Sequence, residues 1–194
     1  MVLLLLIAAS IYRMREGLRQ RETIPGQRQM QWSLCVLFWL QVLIMVGSYC
    51  EFVFLRRSLL PVWTGIGVAF FAVSVWLRHV AIRTLGKFWS LHVEIRDQHE
   101  LIRSGVYSFL RHPIYAAIAL EIVSVPMMLN AWWTMLFALA VYWPMLLWRL
   151  HWEERAMLEK LGDAYRVYQQ EVGALIPKWS AIRTLVNSRQ SSPE

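Results

Sequence analysis

The run from Trp32 to Leu55 constrains this chain most: 24 residues carry a single charge, Glu51. As a helix it is about 36 Å long, enough to cross the ~30 Å hydrocarbon core of a bilayer. A second run, Leu59 to Leu77, has 19 uncharged residues. Two more, Pro113 to Leu129 and Ala131 to Trp148, flank Asn130 and read as a helical hairpin with a tight turn. Pro126 and Pro144 are expected to kink or shorten its arms. The opening MVLLLLIAASIY is apolar but spans only about 18 Å. Its basic residues Arg13, Arg15, Arg19 and Arg21 follow the apolar stretch, the reverse of a secretory signal, so it reads as a short anchor helix. The expected fold is an all-α, polytopic membrane helical bundle of about five transmembrane helices with a C-terminal hairpin.

Composition excludes the other broad classes. Hydrophobic residues make up 57% and charged residues 17%, against roughly 45–50% and about 25% in soluble domains. A chain this apolar collapses or inserts, so disorder is excluded. Eleven Trp and seven Tyr suit side chains at a membrane–water boundary. The net charge of +7 fits either nucleic acid or an anionic membrane face, and the mean hydropathy of +0.39 decides for the membrane, with no nucleic-acid role. Cys35 and Cys50 lie in one apolar run, about 22 Å apart as a helix, and cannot pair.

The basic residues orient the bundle. Segment 13–31 holds five Arg, segment 83–112 five Lys or Arg, and segment 149–194 seven, whereas the opposite side holds only Arg56 and Arg57. By the positive-inside rule the N-terminus faces out, the C-terminus is cytosolic, and residues 83–112 and 149–194 share the cytosolic side. Chemistry is therefore sought there, in a cytosolic pocket. The division follows: N-terminal membrane helices over 1–82, a core over 83–179, and a frayed tail over 180–194. Apolar residues from Leu150 to Tyr168 recur at helical spacing, with Gly162-Asp163 ending one helix and starting another.

Three polar motifs fall on that side. In Arg111-His112-Pro113-Ile114-Tyr115, proline forces His112 out of helical geometry and itself starts a helix, setting Arg111 and His112 at a positive helix end. The bland reading is a membrane-entry turn; the functional one presents His112 and free backbone N–H groups to a polar ligand. In Arg149-Leu-His151-Trp-Glu153-Glu154, Arg149 and Glu153 share a helix face. A surface pair of that kind is worth about 0.3 kcal/mol, but these charges leave the last span, where ionisable groups tend to be functional. The third segment, Gly86 to His92 and Gln98 to Tyr107, is a long polar loop whose backbone could cradle a nucleotide-like ligand, and which reads blandly as a juxtamembrane linker. Several alternatives fail. Gly65-Ile-Gly67 lies inside an apolar span without a preceding strand, the five histidines lack zinc spacing, so no metal is expected, and no Gly-x-Ser-x-Gly elbow exists.

Taken in order, these segments resemble the isoprenylcysteine carboxyl methyltransferase family of membrane enzymes. The resemblance covers residues 84–179: Leu-Gly-Lys-Phe-Trp-Ser, His-Glu-Leu-Ile-Arg-Ser-Gly-Val-Tyr, Arg-His-Pro-Ile-Tyr, Glu-Glu-Arg-Ala-Met-Leu, Leu-Gly-Asp-Ala-Tyr and Leu-Ile-Pro. It implies an S-adenosyl-L-methionine-dependent carboxyl methyltransferase, releasing S-adenosyl-L-homocysteine. Carried over by motif, His99, Leu101, Ile102, Tyr107, His112, Pro113 and Tyr115 line the cofactor pocket, with His92 a looser match. Glu153 resembles the carboxylate that holds the cofactor, and Arg149 the catalytic-site ligand of the substrate carboxylate. Val106 stands where many relatives have Pro, and Ala117 where many have Gly. The implied partner is a lipophilic, prenylcysteine-like carboxylate entering from the bilayer among membrane lipids. Two other readings stand beside it: methylation of a phospholipid amine, which needs a base and gains little from Arg149, and a non-enzymatic membrane scaffold with a vestigial pocket.

Overall fold

The computed structural model describes residues 27–29, 31–86, 93–95 and 101–178. The N-terminal anchor segment, the basic loop before Gln27, His92, His99 and the tail beyond Lys178 lie outside the described residues. Helix α1 (Gln31–Phe54) and helix α2 (Pro61–Leu85) have 24 and 25 residues, about 36 and 38 Å each. Helix α3 (Pro113–Met128) is shorter, at 16 residues. Helix α4 (Trp132–Phe137), a π-helical stretch over Ala138–Tyr142 and helix α5 (Trp143–Leu161) run on as one rod of 30 residues. Helix α6 (Asp163–Glu171) follows Gly162, whose φ of 56° makes the break expected there. Three of these helices, α1, α2 and the α4–α5 rod, are long and apolar enough to cross a membrane, and the chain is an integral membrane protein. Two three-residue strands, β1 (Gln27–Gln29) and β2 (Val93–Ile95), pair antiparallel at the margin of this helical fold.

Individual side chains set where these helices end. Helix α2 continues two turns past the uncharged run, and Arg78 stays in the bundle there by donating to Glu121 at 3.2 Å. Pro126 falls in the last turn of α3, which ends at Met128, in keeping with a proline that shortens its arm. Pro144 does not shorten its arm, because the π-helical stretch just before it carries the chain past the missing N–H, with Trp143 N bonding Ala138 O. The rod is therefore about 45 Å long, and its last turns project beyond a bilayer core with Glu153 and Glu154. Asn130 takes a left-handed φ of 53° at the hairpin turn and donates to Ser58 O at 3.2 Å.

Small residues let α2 and α3 close on each other: a Cβ on Gly67 would lie 2.8 Å from Met128 N. Helix α1 docks through a buried polar stripe, Ser33, Gln41, Ser48 and Glu51. Gln41 donates to Glu121 at 3.2 Å. Glu51 accepts from Trp133 N at 3.2 Å and from Thr134 N and Oγ1 at 2.8 and 2.9 Å, capping the start of α4, and pairs with Arg57 at 3.2 Å. Each intramembrane charge thus has a partner that offsets its desolvation. Other faces of α1 carry exposed Phe38, Trp39 and Leu43, as lipid contact requires. Because Ser58, Glu51, Asn130 and Thr134 meet at one end, residues 101–112 and 149–178 gather at the other.

Candidate active site

The site end is built by a loop, two helix ends and a short amphipathic helix. A 3-10 turn over Gly105–Ser108 leads to His112, which precedes α3 in non-helical geometry (φ −125°, ψ 63°) with Pro113 in its first turn, as proline dictates. The segment after α6 returns along this loop: Arg111 N donates to Gly173 O at 2.8 Å and His112 N to Ala174 O at 3.1 Å. Tyr165 and Tyr168 of α6 are buried, and Tyr168 donates to Tyr107 O at 2.6 Å.

Two linked carboxylate clusters occupy this end. In the first, Glu154 Oε1 accepts from Arg111 Nε at 2.8 Å and Nη2 at 2.6 Å and lies 3.2 Å from His112 Nε2, while Gln169 donates to Oε2 at 3.3 Å. Arg111 Nη1 also donates to Gln169 O at 3.0 Å and to Val172 O. This cluster fastens α6 and the following strap to the loop. In the second, the Tyr115 hydroxyl donates to Glu153 Oε2 at 2.5 Å and accepts from Arg149 Nε at 3.0 Å. Arg149 Nη1 further donates to Ser33 Oγ on α1. His112 connects the two clusters, with Nδ1 3.9 Å from Glu153 Oε1 and its ring 5.6 Å edge-on from Tyr115.

The described residues expected at the site fall into two groups. His112, Pro113, Tyr115, Arg149 and Glu153 converge. Arg149 is nearly fully buried, at 3% exposure, and Glu153 is more open, its side chain 27% exposed. The expected Arg149–Glu153 face is present, with the Tyr115 oxygen bonded to both. Leu101, Ile102 and Tyr107 form the adjoining wall: Leu101 packs on Tyr165 and Tyr168, and Ile102 on the cluster holding Tyr107 and Leu110. Burial and the nearby Glu153 charge push the Tyr107 phenol well above its ordinary range. Burial likewise raises Tyr165, with Glu154 adding to it, and takes Tyr168 up to about 12 despite the opposing Arg111 and Arg103 charges. All three hydroxyls are thus neutral donors at physiological pH. Glu154 and Tyr165 were not expected at the site, and Arg111 was expected only at the helix entry beside it. Adjacent acids in Glu153-Glu154 signalled the first, and the three-residue Tyr spacing on α6 the second. Elsewhere, Cys35, Val36, Trp39, Leu40 and Leu43 line an apolar groove of about 330 Å³ on α1, which offers nothing for polar chemistry.

The chain is similar to known proteins in sequence and in overall fold. Residues 66–159 match the model of the isoprenylcysteine carboxyl methyltransferase (ICMT) family. A probable protein-S-isoprenylcysteine O-methyltransferase of Oryza sativa subsp. indica is 30% identical over 115 residues, covering 58% of this chain and 60% of that protein. The uncharacterised Bacillus subtilis protein YpbQ is 27% identical over 96 residues, covering 50% and 56%. The chain thus aligns with little more than half the length of these relatives. The solved structure of the eukaryotic intramembrane Ras methyltransferase ICMT superposes with a TM-score of 0.62 at 28% identity, covering 70% of this chain and 51% of that one.

Proposed function

Because the chain belongs to the isoprenylcysteine carboxyl methyltransferase family, we propose that it esterifies a lipid-borne carboxylate of prenylcysteine type with a methyl group from S-adenosylmethionine. The observation that carries this reading is the single Tyr115 oxygen bonded to both Arg149 and Glu153. It joins a group suited to gripping a carboxylate to one suited to holding a cation.

The donor set fits that cofactor. S-adenosylmethionine has a sulfonium and an α-ammonium, and charge-assisted contacts favour a carboxylate beside them. Glu154 is committed to Arg111, His112 and Gln169, so Glu153 is the acid that would hold it. His112, Pro113, Tyr107, Leu101 and Ile102 would line the pocket, completed by His92 and His99. When bound, the cofactor supplies an electrophilic methyl group and leaves as the neutral thioether S-adenosylhomocysteine. Arg149 would orient the substrate carboxylate by the planar, two-point contact that guanidinium makes well. No base is required, since a carboxyl of pKa near 3.5 is already ionised at neutral pH. What the residues contribute is alignment. The site would face the cytosol, following the charge bias, and a prenylated substrate would reach it sideways from the bilayer.

The test is a comparison of Arg149→Lys with Arg149→Ala. Both are expected to lose turnover of a farnesylcysteine analogue while keeping affinity for S-adenosylhomocysteine, because ammonium cannot reproduce the two-point contact. Wild-type turnover by the Lys variant would remove Arg149 as the carboxylate ligand and favour amine methylation.

A further inference from the structure

We propose that Ser33 is a positioning residue for Arg149, so that α1, a helix outside the family-matched residues 66–159, helps set how the substrate carboxylate is received. This rests on the reading of Arg149 as the carboxylate ligand. Ser33 is fully buried in the first turn of α1, and Arg149 Nη1 donates to its hydroxyl oxygen. Arg149 Nε donates on the other side to Tyr115 of α3. Two nitrogens of one planar guanidinium are thereby fixed from two different helices, which sets the direction of the plane as well as its location. The Ser33 and Tyr115 acceptors are neutral hydroxyls. They orient the cation without cancelling its charge, as an acidic residue at either position would.

The neighbouring contacts separate this role from simple helix docking. Trp32 packs on Trp148 with ring centroids 5.3 Å apart, so the turn of α1 that carries Ser33 is also held against the residue before Arg149. Two turns further along, Gln41 bonds Glu121, and Glu51 caps α4 at the far end. Helix α1 therefore keeps its seat without the Ser33 hydroxyl, and what the hydroxyl adds is the aim of Arg149. An alanine or valine at position 33 would sustain the same span yet remove the contact that α1 makes to the guanidinium.

The test uses the full chain in lipid nanodiscs with a farnesylcysteine analogue. Ser33→Ala is expected to lower kcat/KM about tenfold, the effect of losing one hydrogen bond to a charged group, while the Kd for S-adenosylhomocysteine changes less than twofold. Ser33→Cys, nearly the same size but a weak acceptor, should show the same defect with less risk to folding. Gln41→Leu cuts a different α1 tie and is expected to lower Tm while leaving KM unchanged. Unchanged kcat/KM in Ser33→Ala and Ser33→Cys, with Arg149→Ala inactive, would overturn the role of Ser33 and leave Arg149 standing. A Gln41→Leu variant that raises KM as much would reduce Ser33 to a helix anchor. Wild-type turnover by Arg149→Ala would instead overturn the carboxylate-ligand reading itself.

Discussion

Replacing Tyr115 with Phe removes one oxygen and keeps the ring, so it isolates the link between the two halves of the site. That oxygen accepts from Arg149 Nε at 3.0 Å and donates to Glu153 Oε2 at 2.5 Å. A hydrogen bond to a charged partner is worth about 1.5–3 kcal/mol, and the two contacts do not count equally. The Glu153 side chain is 27% exposed, so water can replace the lost donor cheaply. Arg149 is buried, and its Nε–H loses a partner where desolvation is costly. The expected loss is thus about one full contact, roughly 1.5–3 kcal/mol, or a 10- to 100-fold fall in kcat/KM. Steady-state kinetics should show it in both kcat and KM, with calorimetry showing a weaker effect on S-adenosylhomocysteine binding. Tm should fall by only a few degrees. Unchanged kcat/KM in Tyr115→Phe would refute the claim that this hydroxyl couples the two sites.

Other outcomes follow from the same geometry. Glu154→Ala leaves the buried Arg111 guanidinium without its carboxylate and should cost about 3–5 kcal/mol, read as a large drop in Tm in nanodiscs; a shift of a degree or two would contradict it. The raised Tyr168 phenol gives an alkaline signature. The native state keeps this proton up to about pH 12, whereas the unfolded phenol loses it near 10, so the native state binds more protons in that window and stability falls as pH rises. Tm should decline from pH 10 to 12 in the wild type and less steeply in Tyr168→Phe; equal slopes would sink the assignment. Cysteine labelling at Ser104 and Ser58, with Cys35 and Cys50 replaced, should report opposite sides, Ser104 facing the cytosol; labelling from one side would break the topology.

Much of the fold is legible because a bilayer leaves few options. Long uncharged runs become spans, Asn130 and Gly162 mark reversals through left-handed backbone, and Pro113 fixes where α3 begins. Part of the site is legible for the same local reasons: proline places His112, and four-residue spacing puts Arg149 and Glu153 on one face. The rest depends on partners remote in sequence. Glu121 meets Gln41 80 positions away, and Arg111 meets Glu154 at a separation of 43. No periodicity encodes such pairs, so neither the role of Glu121 nor that of Glu154 can be read from the sequence. Ser33 carries no sequence signal at all, since a serine opening a membrane helix is ordinarily unremarked. The extension of α2 past its uncharged run depends on Arg78 meeting its acid on α3, a partner remote in sequence. The π-helical stretch before Pro144 was hidden because proline signals a break, and only the backbone reveals how the helix continues.

The central claim is that this site makes a carboxyl ester on a lipid-borne substrate. The most direct measurement supplies the purified, bilayer-embedded protein with S-adenosylmethionine carrying a labelled methyl group and with a farnesylcysteine analogue, then treats the labelled product with base. A carboxyl methyl ester releases its label as methanol, and that release, abolished by Arg149→Ala, is the predicted result. Label that stays on the product through base, or transfer that proceeds equally well without Arg149, would contradict it.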